Sequence, residues 1–189
     1  MAALPDRIWI VGVPGSGKST LAAKLARRLG VEPVHMDELH WLPDWQERAP
    51  EETAALLAER IAGERWVAEG NYGPFRSVHM DRVELTVWLD LPLRVTFLRL
   101  LRRGVRRSVF KEACCNGNHE SLVRTFLHKD SLLLYALQTD RRRRIGLTEE
   151  LATRPHVRLR SQREVDRWLS GVGGEGSGGR VTRSTVGDA

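Results

Sequence analysis

The chain has 189 residues, 41% hydrophobic and 29% charged, the make-up of one globular domain with a substantial core and not of a disordered chain. Its formal charge of +6 and pI near 10.0 favour polyanionic partners: nucleotides, phosphates or nucleic acid. No apolar run approaches the roughly 18 residues that span a bilayer, so no membrane association is expected.

Arg7 to Val13 is a short apolar, β-branched run bounded by turn residues, which predicts a buried first strand. Asp6-Arg7 interrupts the apolar N-terminus and a glycine-rich loop follows directly, so a secretory leader is not expected. Lys18 to Leu29 predicts a helix, with Leu21, Leu25 and Leu29 spaced four apart and Gly30 as its stop. Pro33 to Met36 reads as a weak second strand. Pro50-Glu51-Glu52 opens a second helix, with proline and acids in the first turn, Leu57 and Ile61 on one face and Gly63 as its close.

Arg65–Glu69 and Val83–Leu89 read as the third and fourth strands. Leu93 to Arg103 predicts a helix, followed by a polar stretch from Gly104 to Glu120 and a long helix from about Leu122 to Gln138. His156 to Arg160 is the last strand, and Ser161-x-x-Glu164 is a capping box opening a final helix to Leu169. From Gly171 onward the chain is rich in Gly and Ser without apolar periodicity, so residues 171–189 are expected to be a disordered tail to a domain of residues 1–170. Strands alternating with helices predict a parallel sheet covered on both faces. The two cysteines, Cys114 and Cys115, are neighbours and form no disulfide framework, so a reducing, cytoplasmic setting is expected. With His119 and His128 they lack the spacing of a zinc site.

Gly12-Val13-Pro14-Gly15-Ser16-Gly17-Lys18-Ser19, followed by Thr20, matches G-x-x-x-x-G-K-[ST] between a buried strand and an amphipathic helix. Glycines let backbone N–H groups turn inward around phosphates at the helix N-terminus. The expected ligand is ATP with Mg²⁺, held by Gly12, Pro14, Gly15, Ser16, Gly17, Lys18, Ser19 and Thr20. In that arrangement Lys18 reaches the terminal phosphates and the Ser19 hydroxyl ligates the metal.

Ligands of an open parallel sheet bind beyond the carboxyl ends of its strands. Asp37 and Glu38 follow the second strand there, and Glu69 ends the third. Mg²⁺ in such sites keeps several waters, and Glu69 is expected to hold one of them. Asp37 is expected to accept a proton from an acceptor hydroxyl or to orient the acceptor, and Glu38 reads as a solvated loop acid.

Gly12 to Thr20, Met36-Asp37-Glu38-Leu39-His40-Trp41 with Asp44-Trp45, Glu69-Gly70-Asn71-Tyr72, and Leu89-Asp90-Leu91-Pro92 together resemble the adenylate-kinase-like P-loop proteins often labelled topology modulation proteins. Asn116-Gly117-Asn118-x-Glu120 is similar to a stretch in one branch of them. The resemblance runs from Arg7 to Leu169. It implies a three-layer α/β P-loop NTPase fold with a five-stranded parallel sheet and a helical, arginine-bearing lid, placed at about residues 104–130. Authentic adenylate kinases carry Asp-Gly-Phe/Tyr-Pro-Arg at the end of the third strand. This chain reads Glu69-Gly70-Asn71-Tyr72-Gly73-Pro74-Phe75-Arg76, a departure from the pattern of an AMP site.

Arg94, Arg99, Arg102, Arg103, Arg106 and Arg107 follow the fourth strand, and helical spacing puts Arg99, Arg102, Arg103 and Arg106 on one face. Arg103 and Arg107, at the junction of helix and lid, are expected to close over the transferred phosphoryl group. The run Arg141 to Arg144 reads as a solvated basic face. Trp9, Trp66 and Trp88 alternate with apolar strand residues and are assigned to the core, and Trp168 to packing. Trp41 and Trp45 are either a stacking wall for an acceptor ring or packing. Arg160-Ser161 occupies the place where this fold class holds the nucleotide base.

The reading that results is an ATP-dependent phosphotransferase acting on a small-molecule or nucleotide acceptor, with Lys18, Asp37, Arg103 and Arg107 as catalytic residues and Ser19 and Glu69 at the metal. The alternative is a nucleotide-dependent nucleic-acid-binding or regulatory ATPase. The basic pI, the Arg141–Arg144 run, Arg180 and Arg183 motivate it, although no aromatic residues interleave with the arginines.

Overall fold

The computed structural model describes residues 3–71, 73–110, 115–118 and 144–172. The helix expected from Leu122 to Gln138, Arg141 to Arg143, Cys114, His119, Glu120, His128 and nearly all of the expected tail lie outside the described residues.

Five strands form one sheet: β1 (Arg7–Gly12), β2 (Pro33–His35), β3 (Trp66–Glu69), β4 (Leu85–Leu89) and β5 (His156–Leu159). Their order is β2-β3-β1-β4-β5 and every pairing is parallel. Central β1 is buried on both sides because its residues alternate between two cores. Ile8 and Ile10 face α1 (Lys18–Leu29), whose Leu21, Leu25 and Leu29 form the predicted stripe, and α7 (Gln162–Gly171), which adds Val165 and Leu169. Trp9 and Val11 face the opposite layer. That layer contains Met36 and Leu39 of α2 (Met36–His40), Leu57 of α3 (Pro50–Arg60), Phe75 beside α4 (Arg76–His79), and Leu147 and Leu151 of α6 (144–151). The chain leaves β1 for β2 on one side and reaches β4 on the other, so the order reverses at β1. In open α/β sheets the ligand crevice lies at that reversal.

Trp9, Trp66 and Trp88 are 2%, 2% and 3% exposed, the core role assigned to them. The capping box is formed: Ser161 Oγ accepts from the Glu164 N–H at 3.2 Å, and Glu164 Oε2 accepts from the Arg160 N–H at 2.7 Å. Gly30, at φ 68°, stops α1 and returns its N–H to the Ala26 carbonyl.

Two features differ from expectation. The helix starting at Leu93, α5, does not end at Arg103 but runs through Gly104 to Phe110. One glycine costs a helix only about 1 kcal/mol, and here Gly104 is buried among good helix formers. The short helices α2 and α4 and the helical residues of α6 were also not anticipated; pieces of one or two turns carry too little periodicity to read.

Candidate active site

The phosphate loop joins β1 to α1. Gly12, Gly15 and Gly17 have φ of 155°, 78° and 97°. A Cβ on Gly12 would lie 2.7 Å from the Leu89 carbonyl oxygen, and one on Gly15 would lie 2.5 Å from that of Thr96. Gly12 and Gly15 are therefore required twice over, by backbone conformation and by the close approach of β4 and α5, and Gly17 by conformation alone. Gly17 caps α1 without any side-chain hydrogen bond, so the N–H groups of the first turn face the loop's concavity. The Lys18 ammonium folds back over the loop to the Val13 carbonyl at 3.4 Å. Ser16 is 2% exposed, and its hydroxyl has no hydrogen-bond partner among the described residues.

Ser19, the last residue of the motif, donates from Oγ to Glu69 Oε1 at 2.9 Å. Glu69 ends β3 with its side chain 7% exposed, and the parallel register pairs it with His35, whose Nδ1 lies 3.0 Å from the same oxygen. Burial pushes the Glu69 carboxyl up. The hydrogen bond from His35, the Lys18 charge and the Ser19 hydroxyl outweigh that, and hold it below the usual carboxylate range. His35 moves the other way. Its hydrogen bond to Glu69 raises it most, burial opposes, and the charges of Glu69, Glu38 and Asp37 add to the rise. The cluster is thus an ionised carboxylate beside the loop hydroxyl, backed by an imidazole that favours its proton. A hydroxyl and a carboxylate are oxygen donors of the kind Mg²⁺ takes, so these residues suit that ion.

The third strand continues into Gly70-Asn71. Asn71 Oδ1 accepts from the Gly12 N–H at 3.0 Å, and its Nδ2 donates to the Gly12 carbonyl at 2.6 Å. The Gly70 carbonyl accepts from Trp9 Nε1 at 3.0 Å.

Helix α5 lies against the back of the loop through Thr96 and Leu100. Arg99 donates to the Ser16 carbonyl at 3.3 Å and to Gln162 Oε1 at 2.7 Å, joining the loop to the start of α7. Arg103 and Arg107 are half-buried on the face that carries Thr96 and Leu100, one and two turns further on. Arg94, Arg102 and Arg106 are exposed. The four arginines expected on one face are therefore divided, Arg99 and Arg103 being half-buried and Arg102 and Arg106 exposed. At the end of β4, buried Asp90 accepts from Arg158 at 2.6 Å and pairs with Arg144 at 3.2 Å, while Arg158 lies 4.0 Å over the Trp88 ring. Arg144 thus leaves the solvated basic run that the sequence predicts.

Asp37 and Glu38 are exposed in the single turn of α2, near enough for their charges to act on His35. The chain then makes a tight hairpin in which Leu42 N–H reaches the Gln46 carbonyl at 2.8 Å and Arg48 N–H reaches that of His40 at 2.8 Å. Trp41 and Trp45 meet edge to face in it, centroids 5.8 Å apart. Asn118, 4% exposed, accepts from the Trp45 N–H at 2.9 Å and donates to the Leu42 carbonyl at 2.9 Å. Asn116 donates to the carbonyls of Glu38 at 2.8 Å and Trp41 at 2.5 Å. The Asn-Gly-Asn motif therefore staples the tryptophan hairpin from outside.

The structure brings Lys18, Ser19 and Glu69 together with the loop glycines, and sets Asp37 at the same edge of the sheet. Sequence reading quotes Asn71 and Asn118 in motifs but assigns no role to them or to His35. Only a strand register could have paired His35 with Glu69, and the asparagines act across 59 and 73 residues of sequence separation.

No family model matches the chain. Over 131 residues, 68% of this chain and 73% of the relative, it is 28% identical to a Bacillus subtilis (strain 168) protein described as uncharacterized protein YqaC. A shikimate kinase from Acinetobacter baumannii, solved with shikimate, aligns over 88% of this chain and 90% of its own, at 18% identity and a TM-score of 0.54. A sugar kinase from a Janibacter species aligns over 88% and 94%, at 18% identity and a TM-score of 0.50. The fold is a three-layer α/β P-loop fold. At these identities the likeness is one of architecture, and what the site does has to be argued from its own residues.

Proposed function

We propose that the chain is an ATP- and Mg²⁺-dependent phosphotransferase of the adenylate-kinase-like group labelled topology modulation proteins, acting on a small hydroxyl-bearing or nucleotide acceptor. The observation that carries this reading is the Ser19–Glu69 contact at the mouth of a glycine cradle, since it sets a hydroxyl and an ionised carboxylate beside the phosphate loop. The solved structures of similar architecture include a shikimate kinase and a sugar kinase, which agrees with it.

In this reading Gly12, Pro14, Gly15, Ser16, Gly17 and Thr20 shape the cradle, and Lys18 sets positive charge at the terminal phosphates. When bound, Mg·ATP supplies the phosphoryl group and neutralises part of its charge. Ser19 would hold the metal through its hydroxyl, and Glu69 would hold one of its waters. His35 keeps the Glu69 carboxylate ionised and aimed at Ser19. Asp37 takes the proton that leaves the acceptor hydroxyl, and Arg103 and Arg107 balance the charge of the transferred group. The hairpin carrying Trp41 and Trp45 walls the acceptor side.

The test is ADP release from Mg·ATP against nucleosides, nucleoside monophosphates and small hydroxylated metabolites, with Lys18→Ala as control. Stimulation by one acceptor in the wild type alone supports a kinase and names its substrate class. ATP binding with slow, Lys18-dependent hydrolysis and no stimulating acceptor removes the kinase reading.

A further inference from the structure

We infer that Asn71 is a positioning residue that holds the phosphate loop open for nucleotide, its side-chain amide standing in for a rung of the β1–β3 ladder at Gly12 and holding the Gly12 carbonyl beside it. The inference rests on the phosphate-loop reading above.

In a parallel pair, one residue bonds to the two partners that flank its opposite number. Ile10 is opposite Glu69, and the Gly70 N–H donates to the Ile10 carbonyl at 3.1 Å. The next residue in that pattern is Gly12, whose N–H would donate to the Gly70 carbonyl. That rung is replaced: the Gly70 carbonyl is taken by Trp9 Nε1, and the backbone departs at Gly70, where φ is 145°. The Asn71 amide supplies the replacement, an acceptor 3.0 Å from the Gly12 N–H, and adds a donor 2.6 Å from the Gly12 carbonyl.

Gly12 is the point where strand becomes loop. Fixing both peptide groups that flank it sets the direction in which Val13 to Gly17 leave the sheet. Glu69, two residues earlier, bonds Ser19 at the other end of the motif. The end of β3 therefore grips the loop at its first and last residues. Both grips are made by the chain's own groups, which lowers the cost of ordering the loop on binding. Asparagine suits the position because only a carboxamide offers a donor and an acceptor side by side; aspartate keeps the acceptor and loses the donor.

The experiment measures Mg·ADP binding by calorimetry and backbone hydrogen exchange by mass spectrometry on wild type, Asn71→Ala and Asn71→Asp. Asn71→Ala is expected to weaken Mg·ADP about tenfold, from two lost hydrogen bonds. Exchange should quicken across residues 12–17 while Ile8 and Ile10 stay as slow as in the wild type. A merely structural loss would quicken β1 along with the loop. Asn71→Asp shifts both readouts the same way and carries the test if the alanine variant does not fold. Loop amides as protected in the variants as in the wild type overturn the inference, as does Mg·ADP binding within twofold of a wild type that binds. A folded wild type that fails to bind Mg·ADP refutes the phosphate-loop reading instead, and the exchange comparison then decides Asn71 by itself.

Discussion

Replacing Gly15 with alanine tests whether the loop is held by conformation alone or also by α5. Gly15 has φ 78°, and a Cβ there would sit 2.5 Å from the Thr96 carbonyl oxygen and 2.8 Å from Leu100 Cγ. The left-handed backbone costs an alanine about 1–2 kcal/mol. The Leu100 side chain can turn away, but the Thr96 oxygen belongs to the helix, so α5 or the loop must shift, at about 1–3 kcal/mol more. The sum, roughly 2–5 kcal/mol, corresponds to a fall in Tm of about 4–20 °C for a chain of this size. Two other glycines calibrate the two contributions. Gly30 has φ 68° with nothing within 4 Å, so Gly30→Ala isolates the conformational cost. Gly73 has neither a positive φ nor a neighbour within 4 Å, and Gly73→Ala is expected to change Tm little or raise it. Thermal unfolding of the three variants should rank Gly15→Ala well below Gly30→Ala, with Gly73→Ala at or above the wild type. If Gly15→Ala melts with Gly30→Ala, the packing of α5 on the loop contributes nothing and the argument is refuted.

Asn118→Ala removes the bonds to Trp45 and Leu42, and should destabilise by about 1–3 kcal/mol and shift tryptophan emission to the red as the hairpin loosens; unchanged emission would mean that the asparagine does not hold Trp41 and Trp45. Glu164 gives a pH dependence. The hydrogen bond from the Arg160 N–H, helped by the Ser161 hydroxyl and nearby arginines and opposed slightly by burial, holds its carboxyl below the usual 4.5. A lowered folded-state value means that the cap's contribution is complete above about 4.5 and is lost as pH falls through the folded value. Wild type should therefore melt slightly above Glu164→Gln at pH 7, and the gap should close as pH falls through the lowered folded-state value. A gap that persists in acid removes the carboxylate from the explanation.

The parts of the molecule readable from sequence are those whose causes are local. The phosphate loop, the Leu21-Leu25-Leu29 stripe and the Ser161–Glu164 box each complete their interactions within about one or two helical turns, so residue types and spacing carry them. The length of α5 was misjudged because a glycine propensity of about 1 kcal/mol was weighed without the burial that offsets it. The contacts of His35, Asn71 and Asn118 were invisible for another reason. Their partners are 34, 59 and 73 residues away, and for His35 a one-residue change in strand register would have sent the side chain elsewhere. Arg144 illustrates the same limit: a run of four arginines looks solvated until Asp90 is found 3.2 Å from one of them.

The sheet order carries a consequence for synthesis of the chain. β1 is the first strand to be made, yet it lies between β3 and β4 at the centre of the sheet. At about 5–20 residues per second, the roughly 70 residues from Gly12 to Leu85 take about 4–14 s to add. The apolar Ile8-Trp9-Ile10-Val11 segment has both edges bare until Trp66–Glu69 follows, and its β4 edge stays bare for the whole interval. The residues that seat the phosphate loop most firmly in the finished protein are thus the ones most exposed to mispairing while it is being built, and slowed translation should increase their capture by chaperones before it affects any other strand.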